Sequence, residues 1–392
     1  MKFNLSRKTN STNFIPEIDG LRFFAIATVA IFHLNTAFSR EMGLTVQGSI
    51  ELLGGKNTLS IGGVLVRLDL GVKVFFAISG FILALPFLKA LNENKSINIL
   101  SYFKRRLTRL EPPFIISLVL FSLVHTIVFH QEIANVLWHF SIGLFYCHGF
   151  VFGEPNFINP VTWSLETEAQ FYILVPLLFF FFKLVKRDAL KIALLLALFI
   201  GSMIFKNATS GDGYLNASVF AYFLNFVVGI FFAGIYVRKK AFFEGSKKLI
   251  YDLLGLASII GMFVFYKPQD DFTNMIVFNS SIFLFFLSAF LGKFFNMFFT
   301  RRWVYTIGGM CYSIYLLHYA FFHLFVKYSK ALAFSDSYGI NLGIQMTIAL
   351  PVVLFVSAVF FVLVERPCMN PEWPKKLRHV CKVRLQKLLN TN

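Results

Sequence analysis

The residues that first raise a chemical question are charged ones lying where the chain is otherwise apolar. Arg22 and His33 fall in the first long apolar run of a 392-residue chain, eleven positions apart. In a helix that spacing advances about 16 Å and returns to within roughly 20° of the same face. An ionisable side chain near a bilayer centre costs on the order of 2.5–3.5 kcal/mol, so the pair asks for an account beyond packing. Either Arg22 reaches lipid headgroups and His33 is satisfied inside a bundle, or an imidazole is held there to move a proton. A second apolar run opens with Trp163, Ser164, Leu165, Glu166, Thr167 and Glu168. A carboxylate from Glu168 at the depth of His33 would orient the ring and raise its basicity, the arrangement of a general base; a structural Glu–His hydrogen bond is the bland reading. A third group, Arg105, Arg106 and Arg109, precedes Pro112. Arg106 and Arg109 share a helical face, where guanidinium forks grip phosphates bidentately. A topological signal explains the charge equally well, but not the use of arginine where lysine would serve.

In the chain that must hold these side chains in place, 57% of the residues are hydrophobic and only 15% charged. That apolar mass exceeds what a water-soluble core holds, and several runs of about 20 residues match a hydrocarbon layer of roughly 30 Å. The expected fold is all-α, a polytopic transmembrane bundle of about ten spanning helices, over 18–38, 70–90, 113–131, 165–185, 189–206, 216–237, 249–267, 274–292, 304–328 and 342–364. Of the 37 Lys and Arg residues, 28 fall in the tails and alternate loops of one side and 7 on the other, which puts both termini in the cytoplasm. The +17 formal charge is therefore read as topology and not as a nucleic-acid surface. The first run, which carries Arg22 and His33 and lacks a small-residue cleavage site, is read as a retained helix. The expected layout is a tail over 1–17, the membrane domain over 18–364 and a basic tail over 365–392. Segment 132–164, with Trp138, His139, Tyr146, His148 and Trp163, is read as including an interfacial helix. No linker to a soluble catalytic domain is read, so the bundle itself is expected to act. The cysteines, Cys147, Cys311, Cys368 and Cys381, lack metal-ligand spacing, no metal is expected, and no motif sets an oligomeric state.

These residues resemble a known family, membrane acyltransferase family 3, whose members O-acylate bacterial polysaccharides and related acceptors. The matching segments are Ile15-Pro16-Glu17-Ile18-Asp19-Gly20-Leu21-Arg22 running to His33, Gly71-Val72-Lys73-Val74-Phe75-Phe76 with Ser79-Gly80-Phe81, the Arg105-Arg106 and Arg109 cluster, Trp163-Ser164-Leu165 through Gln170-Phe171-Tyr172, Ser313-Ile314-Tyr315-Leu316-Leu317-His318, and Glu365-Arg366-Pro367. The resemblance implies that Arg22 and His33 are the family's essential arginine and histidine, and that the arginine pair is its cytosolic motif. It also implies a multi-pass protein of the cell (inner) membrane. Two positions depart from the family pattern: Lys73 stands where an acid is usual, and Ala169 where a second Glu is frequent.

The expected function is O-acyl transfer from cytosolic acetyl-CoA, the acyl donor, to a hydroxyl of a cell-envelope or exported glycan. His33 is expected to be catalytic, as base or transient acyl carrier, with Glu168 orienting it. Arg22, Arg105, Arg106, Arg109, Trp163, Ser164, Tyr172 and His318 are expected on the substrate side, Arg106 and Arg109 at the CoA phosphates. His318 either lines the cavity or is simply packed, and Glu365 and Arg366 are read as capping the last helix at the cytosol, paired with each other or with the arginine loop, the structural reading being favoured. The runner-up is a transporter or flippase of a lipid-linked sugar, against which stands the lack of an inverted repeat. A non-enzymatic partner in envelope assembly would leave the Arg22 and His33 stripe unexplained.

Overall fold

The computed structural model describes residues 5, 7, 14–57, 60–266, 271–370 and 372–375. Most of the two expected tails, with His379 and Cys381, lies outside them. Among the described residues every regular element is a helix. Ten long helices carry the fold: α1 Pro16–Glu41, α2 Leu70–Asn92, α3 Ile99–Ile127, α4 Trp163–Leu184, α5 Asp188–Ala208, α6 Val219–Arg238, α7 Leu249–Phe265, α8 Phe272–Leu291, α9 Cys311–Ser329 and α10 Tyr338–Phe360.

Among the described residues eight helices are long and apolar enough to cross a membrane. The other two of the ten expected spans differ. α7 has 17 residues, near the lower end of what spans a bilayer. The expected span 304–328 is two helices, Arg302–Gly309 and α9, bent by 68°; counted as one it makes a ninth span. α3 starts much earlier than the prolines suggest: the helix runs through Pro112 and Pro113, so the arginine cluster lies in its first three turns. Proline at 112 leaves the carbonyl of Thr108 without its helical partner, and the indole Nε1 of Trp373 donates to it at 2.8 Å. Segment 132–164 does contain a short helix, Ile133–Gly143, with Leu137 and Trp138 exposed.

Small residues set the closest helix crossings. A Cβ at Gly229 of α6 would lie 1.9 Å from the carbonyl oxygen of Ala77, and one at Gly80 of α2 would lie 2.2 Å from that of Phe226. α2 and α6 therefore touch backbone to backbone, the packing that lets helices associate where lipid supplies no hydrophobic drive. A phenylalanine-rich core, including Phe81, Phe171, Phe226 and Phe232, surrounds this crossing. α1 packs on α2, on Arg302–Gly309 and on α9, whereas α4 packs on α2 and α6. The two elements expected to share a catalytic pair thus have largely different neighbours.

Replacing Gly229 by Leu should overpack that crossing by about 1–3 kcal/mol or more and lower the thermal midpoint in detergent by several degrees. Gly343→Leu, whose Cβ meets open space, should leave it unchanged; equal midpoints for both variants would contradict the packing described.

Candidate active site

A cavity of about 100 Å³ lies where α1, α2, α3, α4 and α9 converge. Of the expected site residues it gathers Arg22, Arg106, Arg109, Ser164, Glu168 and Tyr172. Arg105 is exposed and does not join them. Trp163 also stands apart, its ring 6.2 Å from Phe76 and 5.5 Å from Tyr222. Three guanidiniums therefore approach one small space, which only acidic partners make tolerable. Asp19, one turn before Arg22 on α1 and 2% exposed, accepts from Arg22 and, at 2.8 Å, from Arg7 of the N-terminal segment. Burial first, and then the neighbouring Arg22, pull the Arg7 guanidinium below its ordinary pKa, with Asp19 opposing. The Nε of Arg109 is buried without a hydrogen-bond partner. A surplus of positive charge with an unsatisfied donor is what an anion-binding site looks like before its anion arrives.

Of the two pairings read for Glu365, the structure brings it toward the arginine loop. It is fully buried in the π-helical turn that follows α10. Its Oε2 accepts from the backbone N and, at 2.6 Å, the hydroxyl of Ser313, and its charge faces Arg109 and Arg7.

His33 lies about 16 Å beyond Arg22 along α1, and its partner is not Glu168. His33 Nδ1 lies 2.9 Å from Nε2 of His318, which is fully buried on α9. The Nδ1 of His318 faces only carbonyl oxygens, those of Tyr315 at 2.8 Å and Ile314 at 3.0 Å. Carbonyls accept, so that nitrogen carries the proton; a neutral His318 then offers Nε2 as an acceptor, and His33 must donate from Nδ1. A neutral His33 is left with its lone pair on Nε2. The side chain that orients His33 is thus His318, and the lone pair on His33 Nε2 is fixed by two backbone carbonyls acting through a second imidazole.

Glu168 stays with the arginines. Its Oε1 accepts from Ser79 at 2.6 Å, and Tyr172, one turn later, lines the same cavity. The misplacement is one of depth and of neighbours: Glu168 stands at the level of Arg22, and α4 packs on α2 and α6. Tyr315 links the two groups. Its hydroxyl lies 2.8 Å from Ser164 Oγ in the cavity wall and donates to the carbonyl of Val161, while its own carbonyl holds His318. Sequence reasoning gave no role to Tyr315, Ser79, Asp19 or Arg7, although the first three sit inside the quoted family segments.

The two departures from the family pattern find local explanations. Lys73 Nζ lies 4.2 Å from the ring centroid of Tyr266, whose hydroxyl donates to Asp69 at 2.6 Å, so the cation is held by an aromatic face. Ala169 lines an adjoining, mostly apolar groove with Ile173 and Phe220, which shares Arg106, Leu110, Leu165 and Tyr172 with the arginine cavity.

The tautomer assignment is checkable by ¹⁵N NMR of selectively labelled histidines at neutral pH. Each ring of the pair should show a protonated Nδ1 and an unprotonated Nε2; a protonated Nε2 on His33 would contradict it.

A family model described as an acyltransferase domain matches residues 15–364. The O-acetyltransferase OatA of Staphylococcus aureus is 26% identical over 343 residues, which cover 81% of this chain and 52% of that protein. The peptidoglycan O-acetyltransferase OatA of Listeria monocytogenes is 24% identical over 338 residues, 79% of this chain and 49% of that protein. The chain thus spans about half the length of the curated relatives it matches. No solved structure matches it.

Proposed function

The chain belongs to the acyltransferase domain family, and from that premise we propose that it is a membrane O-acetyltransferase that moves an acetyl group from acetyl-CoA to a hydroxyl of a cell-envelope glycan. The names of its relatives, one of them a peptidoglycan O-acetyltransferase, support the reaction and the class of acceptor. The runner-up reading as a transporter draws no support from those comparisons. The excess of Lys and Arg on the face where α1 and α3 begin supports placing that face, with both termini, in the cytoplasm.

The observation that carries the reading is the fixed lone pair on His33, about 16 Å along one helix from a three-arginine cavity. Phosphates are the natural partners of Arg106, Arg109 and Arg22, and an extended thiol arm joins phosphates to a thioester over a comparable reach. At about 100 Å³ the cavity holds only the slender end of such a donor, so the nucleotide stays at the cytoplasmic mouth, where exposed Lys104 and Arg105 stand. His33 Nε2 takes the proton of the acceptor hydroxyl as its oxygen attacks the thioester carbonyl. The carbon–sulfur bond breaks, and the proton passes from the imidazolium to the departing thiolate. An acetyl ester and free CoA thiol result, and His33 returns to its starting tautomer. His318 acts as a positioning residue, and Glu168 with Tyr172 sets the charge around the arginines.

The test is release of CoA thiol by the purified chain in nanodiscs given acetyl-CoA and chitotetraose, a tetramer of N-acetylated hexosamines. His33→Ala should lower kcat by about 10²–10⁴-fold; equal release by variant and wild type would remove His33 from the chemistry. Arg106→Leu should instead act on binding. Loss of charge-assisted hydrogen bonds of about 1.5–3 kcal/mol should raise KM for acetyl-CoA at least tenfold, with KM for the glycan unchanged; an unaltered acetyl-CoA KM would place the phosphates elsewhere.

A further inference from the structure

Three helices lead away from the arginine cavity and past the histidine pair to a second one. α1 contributes Arg22 to the first cavity and Arg40 to the second; α3 contributes Arg106 and Arg109, then His125; α9 contributes Tyr315, then Tyr319 and His323. His33 and His318 lie between the two on α1 and α9. Arg40 is seven residues beyond His33, about 10 Å along the helix. The second cavity measures about 490 Å³, within the range of small-ligand pockets. We propose that it is the acceptor site, a subsite for a glycan of N-acetylated hexosamines that presents one hydroxyl to His33 from the face opposite the arginines. This rests on the acyl-transfer reading and names where its second substrate sits.

The lining is suited to a sugar and poorly suited to the alternatives. Polar groups are spaced around it, Gln131 and Asn135 at its exposed rim and His125 and His323 deeper, while Phe129 and Phe157 supply flat apolar faces. A pyranose ring has the same two aspects, hydroxyls at its edge and C–H groups on its face. A fatty chain would leave the polar side chains unpaired at a cost. A second CoA would want clustered arginines, and here Arg40 is accompanied by the acid Glu41, which pairs with Lys330 at 3.1 Å. The Nε2 of His323 is buried without a hydrogen-bond partner, a polar atom that a bound hydroxyl or amide would satisfy.

One wall of the cavity packs on the reactive imidazole. Tyr319, one of its walls, meets His33 edge to face at 5.2 Å between centroids and lies 4.6 Å from the ring of His323. The segment that closes it, with Phe157, Ile158 and Pro160, is fixed to α9 by Asn159 Nδ2 donating to the carbonyl of Leu316 at 2.9 Å. The wall is therefore built on the helix that positions His33.

The experiment uses the full chain in intact cells, with the exposed Cys147 replaced by serine. Gln131→Cys and Asn135→Cys are treated with a membrane-impermeant maleimide from outside, with and without chitotetraose. Both should label, at least fivefold more slowly with the glycan, while Ser210→Cys, in a loop that lines neither cavity, should label at one rate throughout. No labelling at 131 and 135, or labelling indifferent to the glycan, would overturn the proposal. In purified protein, Asn135→Ala and His323→Phe should raise KM for chitotetraose at least tenfold and leave KM for acetyl-CoA within twofold; an unchanged glycan KM would also overturn it. A wild type that releases no CoA would instead sink the acyl-transfer reading, and the protection assay would still judge the cavity.

Discussion

Inside a helix bundle there is little water to carry protons, so a base works only if its lone pair is held in place by other hydrogen bonds. In this chain that hold is one contact, His33 Nδ1 to His318 Nε2 at 2.9 Å, anchored in turn by the carbonyls of Ile314 and Tyr315. The rest of the molecule can be understood as what keeps α1 and α9 in register for it. The 68° break before Cys311 turns α9 so that His318 faces α1. Backbone-to-backbone crossings at small residues leave no slack for sliding. A neutral imidazole is a gentler orienter than a carboxylate: it fixes the tautomer of His33 without burying another charge beside it.

The same economy of charge governs the arginine end. Arg7, Arg22 and Arg109 come close together in low-dielectric surroundings, and two acids face them: Asp19 on α1, shared by Arg7 and Arg22, and Glu365 after α10 beside Arg109. Glu168 faces the same space from α4. The acids do not cancel the site. An unsatisfied guanidinium nitrogen on Arg109 remains, and phosphate oxygens are the partners that suit it. In the proposed reaction, binding a polyanion there and fixing a proton acceptor about 16 Å away are two parts of one design, joined through Tyr315, which lines the cavity and whose carbonyl accepts from His318.

Much of this was legible in the sequence because it depends on spacing along a single helix. The stripe of Arg22 and His33 needed only helical rise, and the shared face of Arg106 and Arg109 needed only the three-residue offset; both survive in three dimensions. What failed depends on which helices are neighbours. Glu168 has neither the depth nor the partner expected of it: it lines the arginine cavity at the level of Arg22, on a helix that packs on α2 and α6. His318 was left open between lining and packing, and it does neither alone, since it is packed in order to orient His33. The early start of α3 was hidden by Pro112, whose cost is offset by Trp373, more than 260 residues away in sequence. Arg105 reads like its neighbours in the sequence, and only the helix phase turns it outward.

If donor and acceptor meet at one imidazole from opposite faces of the membrane, proteoliposomes of uniform orientation will show it, with acetyl-CoA confined to the arginine side and a glycan to the other. Acetylated glycan is expected in the glycan's compartment and free CoA thiol in the donor's compartment, both lost in His33→Ala. Ester formation only when the two substrates share a compartment would contradict it.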